Sequence, residues 1–200
     1  MTWQSDYYPA GTHFLDKDDI DFISHQLKLF PLEHITIGDA GEVNNCSVGR
    51  LVEDHPNSVP SLINNELSQP ILNLISSKKA RNFFATYFGG VTQQTIRRCQ
   101  FNLLKEDAFV GRHLDIDSNP DYTIAAVLQL GSHFTGGDFV VYPSKSADIS
   151  QAQIIKPELG SLTISYCKYE HEVQKVMSGT RTSFVTFVSN YSGPNKRNSY

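Results

Sequence analysis

The chain has 200 residues, 40% of them hydrophobic and 19% charged, with a formal net charge of −4 and a pI near 5.9. That is enough apolar material for one domain with a real core, and the acidic balance argues against the cationic footprint of a nucleic-acid groove. No run of about eighteen apolar residues occurs, which excludes a helical membrane span.

The Met1 end, MTWQSDYYPAGTHF, lacks an apolar signal-like core. Asp16 is placed to cap a helix whose apolar positions Ile20, Ile23, Leu27 and Phe30 step by three and four until Pro31 stops it. Residues 38–60 read as loop, broken by Gly38, Gly41, Asn44, Asn45, Gly49, Pro56 and Pro60. Leu62 to Tyr87 reads as helix again, in two pieces around Pro70, with FFATYF packing into the core and Gly89-Gly90 ending it.

From Ile96 the period changes. Eight segments read as strands: 96–104, 109–113, 123–130, 138–142, 152–156, 161–166, 170–176 and 181–189. TIAAVLQL and SFVTFV are apolar on both faces, as in a strand covered by a second sheet on one side and helices on the other. The expected fold is therefore mainly β with N-terminal helices, a jelly roll or double-stranded β-helix of about eight strands. One domain spans 1–200, with helical support in 1–95, the barrel in 96–189 and a polar, frayed tail in 190–200. Cys46, Cys99 and Cys167 lack CxxC spacing, so a reducing cytoplasm is expected, with Cys99 and Cys167, in strand-like apolar runs, as buried thiols.

The chemistry concentrates in GRHLDID. His113 and Asp115 stand two residues apart at a strand end, on one face and roughly 6–7 Å apart along an extended chain. His171, in YEHEVQ, is the one downstream histidine on a core strand. Two imidazoles and a carboxylate leave three open positions on an octahedral ion, the donor set of a facial triad for iron(II). Arg181 opens an otherwise apolar strand ten residues after His171, and a guanidinium pointing into a barrel needs an anion. A carboxylate would satisfy it bidentately, with Ser183 on the same face as a second donor. Gln129 and, more weakly, Asn102 are amides that could face the same space. The competing structural reading pairs Arg181 with Asp138 or Glu172. His13, His25, His34, His55 and His133 read as structural or solvated.

HLD, then HEVQ, then TRTS, with GGDFVVYP between them, resembles the Fe(II)/2-oxoglutarate dioxygenases of the prolyl-4-hydroxylase-like branch over roughly residues 96–189. The chain departs from that branch at Leu104 and Gln129, where tyrosines are often found. The resemblance implies His113, Asp115 and His171 as iron ligands and Arg181 as the residue gripping the C5 carboxylate of 2-oxoglutarate. It implies Fe(II), 2-oxoglutarate and O₂, leaves room for ascorbate, and couples oxidative decarboxylation to succinate with hydroxylation of an unactivated C–H bond. A carboxylate at Asp115, where related halogenases carry a small residue, favours hydroxylation. Asp117, Tyr122 and the Gly-rich stretch 38–50 are placed to cover the pocket, and Asp117 and Arg112 offer charges to a free amino acid or small amino-acid-derived metabolite. A peptidyl-prolyl or other protein substrate is the alternative within the class, and a non-catalytic metal-binding sensor the alternative outside it; a nucleic-acid demethylase is disfavoured. A monomer or homodimer without nucleic-acid or membrane partners is expected.

Overall fold

The computed structural model describes residues 4–38 and 40–197. In chain order the elements are β1 (Ser5–Tyr8), α1 (Lys17–Leu27), β2 (Glu33–Ile37), β3 (Val43–Glu53), β4 (Ser61–Leu62), α2 (Asn65–Ile75) and α3 (Lys78–Ala85). The second half supplies β5 (Thr95–Lys105), β6 (Val110–His113), β7 (Ile124–Gln129), β8 (Phe134–Gly136), β9 (Phe139–Val141), β10 (Gln153–Ile155), β11 (Leu162–Tyr166), β12 (His171–Val173) and β13 (Val176–Ser189). All eight strands expected from the alternation are present, with the short β8 added between two of them.

The strands form two antiparallel sheets facing each other. The major sheet runs β1-β11-β7-β13-β5-β3-β2, with β4 beside β3 and β8 beside β13; the minor sheet runs β10-β9-β12-β6. This is a double-stranded β-helix. Its register decides what the interior contains, because directly paired residues share a face. Arg181 pairs with Leu104, and Ser183 with both Asn102 and Gln129. On the minor sheet His171 pairs with His113.

The double-faced apolar strands have a simple cause. Ile124, Ala126 and Leu128 of β7, with Phe184 and Val188 of β13 and Phe101 of β5, lie under Ile20, Ile23, Ile71, Ile75 and Phe84 of the helices. The alternate residues of β7 and β13 face the minor sheet. Phe101, wholly buried, packs its ring 5.1 Å from Phe30 and 5.0 Å from Phe184. Phe84 of FFATYF is likewise core. No helix among the described residues is long and apolar enough to cross a membrane. All three cysteines are buried thiols.

Four expectations for the first half and the tail need correction. Residues 43–53 form a long strand, because β5 offers a ladder that outweighs local turn propensity. Gly49 is not a breaker there; a Cβ would stand 3.1 Å from a Leu32 methyl, so glycine lets β3 lie close to the preceding segment. Pro70 is tolerated inside α2, and the chain breaks at Ser76 and Ser77, where the Ser77 hydroxyl caps α3 by accepting from the Ala80 amide. The tail is ordered through Arg197: Asn195 is buried and its amide donates to the carbonyls of Asp54 and Ser118. Residues 198–200 of that tail, Met1 to Trp3 of the N-terminal stretch and Asp39 of the Gly-rich stretch lie outside the described residues. Asp16 caps α1 as expected, with a reciprocal bond from its own amide to Asp19.

Candidate metal centre

The antiparallel pairing of β6 and β12 sets His113 and His171 side by side, ring centroids 4.5 Å apart, and a short 3₁₀ turn beginning at Asp115 swings its carboxylate between them. The nitrogen and oxygen donors of the three residues all lie within 4.8 Å of one another. His113 Nδ1 is 2.7 Å from the Gly111 carbonyl and His171 Nδ1 is 3.0 Å from the Tyr169 carbonyl. A carbonyl only accepts, so each Nδ1 carries a proton, and each ring turns its Nε2 towards Asp115. Those Nε2 atoms stand 3.5 Å from Asp115 Oδ1 and Oδ2, too far for charge-assisted hydrogen bonds. Asp115 Oδ2 is buried with no hydrogen-bond donor. Three acceptors converging out of water need a cation among them, and two imidazoles with one carboxylate suit iron(II). Burial works to raise the Asp115 carboxyl, and positive charge at the His171 and His113 rings, whether protons or a bound cation, outweighs it and holds the group well below the usual carboxylate range. Cys167 is fully buried close by, its thiol pushed up by burial and by Asp115.

Across the interior, Arg181 is 4% exposed, yet it makes no ion pair among the described residues, and its Nε has no partner. Burial pushes its guanidinium down to about 10, with Asp138 opposing the shift from a distance. Neither residue of the structural reading neutralises it: Asp138 forms no salt bridge with it, and Glu172 accepts from the Tyr142 hydroxyl. Gly136 and Gly137 make room here. Both have positive φ, and a Cβ on Gly137 would stand 2.9 Å from Arg181 Cδ. The GG pair before β9 is therefore required by backbone conformation and by the arginine it passes.

A cavity of about 70 Å³ joins these two features, lined by the three donor residues, by Arg181, Ser183 and Asn102, and by apolar walls that include Val127, Val173, Phe139 and Phe187. Gln129 is not among its lining residues. Its amide donates to the Gly131 and Thr182 carbonyls, 2.9 Å each, beside the end of the β7–β13 ladder. Ser165, not singled out from the sequence, lines the cavity with a buried, unpartnered hydroxyl. Its signal was the alternation of Thr163 and Ser165 with apolar neighbours in LTISY.

Arg112 does not face substrate. It sits on the outer side of the minor sheet, 2.7 Å from Glu170, 3.6 Å over the Tyr142 ring, and donates to the carbonyls of Ser144, Lys145 and Ala147. Alternation explains this, since residues adjacent to His113 and His171 point the other way. Asp117 is exposed, and Tyr122 is buried, stacked on Phe187 at 4.8 Å. The turn before β3 packs on β6, with Glu42 accepting from the Gly111 amide.

Residues 99–189 match the sequence profile of the 2OG-Fe(II) oxygenase superfamily. The structure is similar to an oxidoreductase of the 2OG-Fe(II) oxygenase family from Burkholderia pseudomallei, with 36% identity, 98% of this chain and 89% of that one covered, and a TM-score of 0.90. A Pseudomonas putida prolyl-4-hydroxylase is 19% identical over 94% of this chain and 93% of its own, with a TM-score of 0.63. The epimerase SnoN, solved with Fe³⁺, alpha ketoglutarate and nogalamycin RO, is 11% identical over 93% and 78%, with a TM-score of 0.61. At these lower identities the likeness is one of fold. No curated protein matches.

Proposed function

The chain belongs to the 2OG-Fe(II) oxygenase superfamily and is a 2-oxoglutarate-dependent dioxygenase, and from that premise we propose which residues do the work and on what. His113, Asp115 and His171 hold the iron, Arg181 and Ser183 receive the C5 carboxylate of 2-oxoglutarate, and the substrate is a free amino acid or a small amino-acid-derived metabolite hydroxylated at an unactivated C–H bond. The observation carrying this reading is the pairing of two features in one cavity: three metal-ligand side chains whose donor atoms lie within 4.8 Å of one another, and a buried arginine with no ion pair among the described residues.

The role of each residue follows from its surroundings. The Gly111 and Tyr169 carbonyls keep both histidines in the tautomer that turns Nε2 inward. Asp115 supplies the negative charge that a divalent ion requires, in a position already shielded from water. Arg181 offers a planar fork to a carboxylate, and Ser183, two residues along the same face, adds an O–H donor. Asn102 and Ser165 add polar atoms to the wall. Val127, Val173, Phe139 and Phe187 exclude water from the reacting centre. Bound iron supplies the oxidation itself, coupling decarboxylation of 2-oxoglutarate by O₂ to hydroxylation of the substrate.

Anaerobic addition of Fe(II) and then 2-oxoglutarate is expected to give a weak visible charge-transfer band. A metabolite-pool screen should then find succinate release coupled to a product that gains one oxygen atom. His113→Ala and His171→Ala are each expected to abolish stoichiometric iron and the band; either variant retaining a full equivalent of iron would sink the ligand assignment.

A further inference from the structure

One end of the inner face of β5 carries a charge with no ion pair among the described residues. Along β5 from Asn102, alternation keeps Gln100 and Arg98 on the inner face, with Arg98 directly opposite Phe187. The three polar side chains form a ladder: Arg98 Nε donates to Gln100 Oε1 at 2.8 Å, and Gln100 Nε2 donates to Asn102 Oδ1 at 2.6 Å. The guanidinium carbon lies 5.7 Å from the Phe187 ring centroid. Held at Nε and against that ring, Arg98 keeps its Nη1 and Nη2 edge unengaged, and it makes no ion pair among the described residues.

That edge faces a cleft of about 370 Å³ at the end of the barrel where the Asp115 loop emerges. Tyr122, which lines the cleft, stacks on Phe187, which lines the inner cavity, so the two spaces adjoin at that ring pair. The carboxylates lining the cleft are engaged by other groups: Glu33 and Glu53 share Arg50 at 3.2 and 3.6 Å, and Asp54 grips the buried Arg97. With Arg98 and the exposed Arg197 at the rim added, the cleft and the Arg97 behind it carry one positive charge more than negative. By contrast Arg112, the charge that the sequence offered to substrate, is fully engaged elsewhere.

We propose that Arg98 seats a carboxylate of the organic substrate, with Arg197 at the rim, so that the substrate is a small organic anion whose reacting carbon reaches past Phe187 to the metal centre. This rests on the functional reading above and names the substrate feature that the site selects. The geometry suits carboxylate binding, because one nitrogen is anchored by Gln100 and the remaining two point outward as a planar pair. About 13 Å of strand separates Arg98 from Asn102, so substrate and cosubstrate carboxylates are held at opposite ends of one sheet face.

The test uses the Fe(II)-loaded enzyme. The probes are the free proteinogenic amino acids and their primary carboxamides, read as succinate release above the substrate-free rate, with 2-oxoglutarate affinity read separately from the anaerobic visible band. At least one free amino acid is expected to stimulate release, and its carboxamide to do so at least about tenfold less well. Arg98→Gln should lower kcat/KM for that amino acid by at least about tenfold, mainly through KM, with the band and its 2-oxoglutarate dependence unchanged; Arg98→Lys should restore part of the loss. Equal stimulation by carboxamides, an unaltered kcat/KM in Arg98→Gln, or a normal band with no stimulation by any free amino acid would each overturn the assignment. A wild-type enzyme that forms no band defeats the parent reading, and is told apart from failure at Arg98 by that signal alone.

Discussion

The two faces of the major sheet each bury an arginine, and their surroundings could hardly differ more. Behind the sheet, Arg97 is wholly buried and wholly partnered: Asp54 takes Nε and Nη2 at 3.1 and 2.7 Å, and the carbonyls of Tyr191 and Gly193 take Nη1. Asn119 completes the set by donating to Asp54 at 2.7 Å. Inside the barrel, Arg181 is almost as buried and has no anion among the described residues. A buried charge whose partners all come from the chain ties the structure together, in this case β5, the tail and the loop after Asp115. A buried charge without one is costly in the ligand-free fold, and it points to a ligand.

The comparison can be broken by substituting each arginine with methionine. Arg97→Met leaves Asp54 buried and unpaired, and should cost about 3–5 kcal/mol of stability in urea unfolding. Arg181→Met removes an unpaired charge, so stability should change by no more than about 1 kcal/mol, or rise. The same variant should weaken 2-oxoglutarate by about 2–5 kcal/mol, at least about thirtyfold in the cosubstrate titration. Equal destabilisation by both substitutions would show Arg181 to be structural. Ser183→Ala sharpens the contrast at the small end. Loss of one neutral donor should cost about 0.5–1.5 kcal/mol of 2-oxoglutarate affinity, roughly three- to tenfold, with no change in the iron content of the isolated protein.

The regions differ in how well they could be read beforehand. The eight strands of the second half were legible because a half-buried strand writes its period into every other residue, and turn residues mark its ends. β3 was not, since Asn44, Asn45 and Gly49 are poor strand formers taken alone and pair only because β5 lies beside them. The break between α2 and α3 went to Pro70 by propensity, but the cap at Ser77 places it seven residues later. Gln129 has the alternation of a cavity residue, and only the tertiary structure shows its amide turned to the Gly131 and Thr182 carbonyls.

The candidate site divides along the same line. Residue type and spacing single out His113, Asp115, His171 and Arg181 as candidates, because metal donors and buried cations are rare enough on apolar strands for local context to mark them. Which charges are partnered was decided only in three dimensions. Arg112, Arg97, Arg98 and Arg181 all stand on strands and look alike in the sequence. Salt-bridge partners lie 43 residues away for Arg97 and 58 for Arg112, while Arg98 and Arg181 have none among the described residues. The period of a strand is a local property of the backbone. The register that lays His171 against His113, and the long-range contacts that satisfy one arginine and leave another waiting, depend on strand pairing that no local pattern encodes.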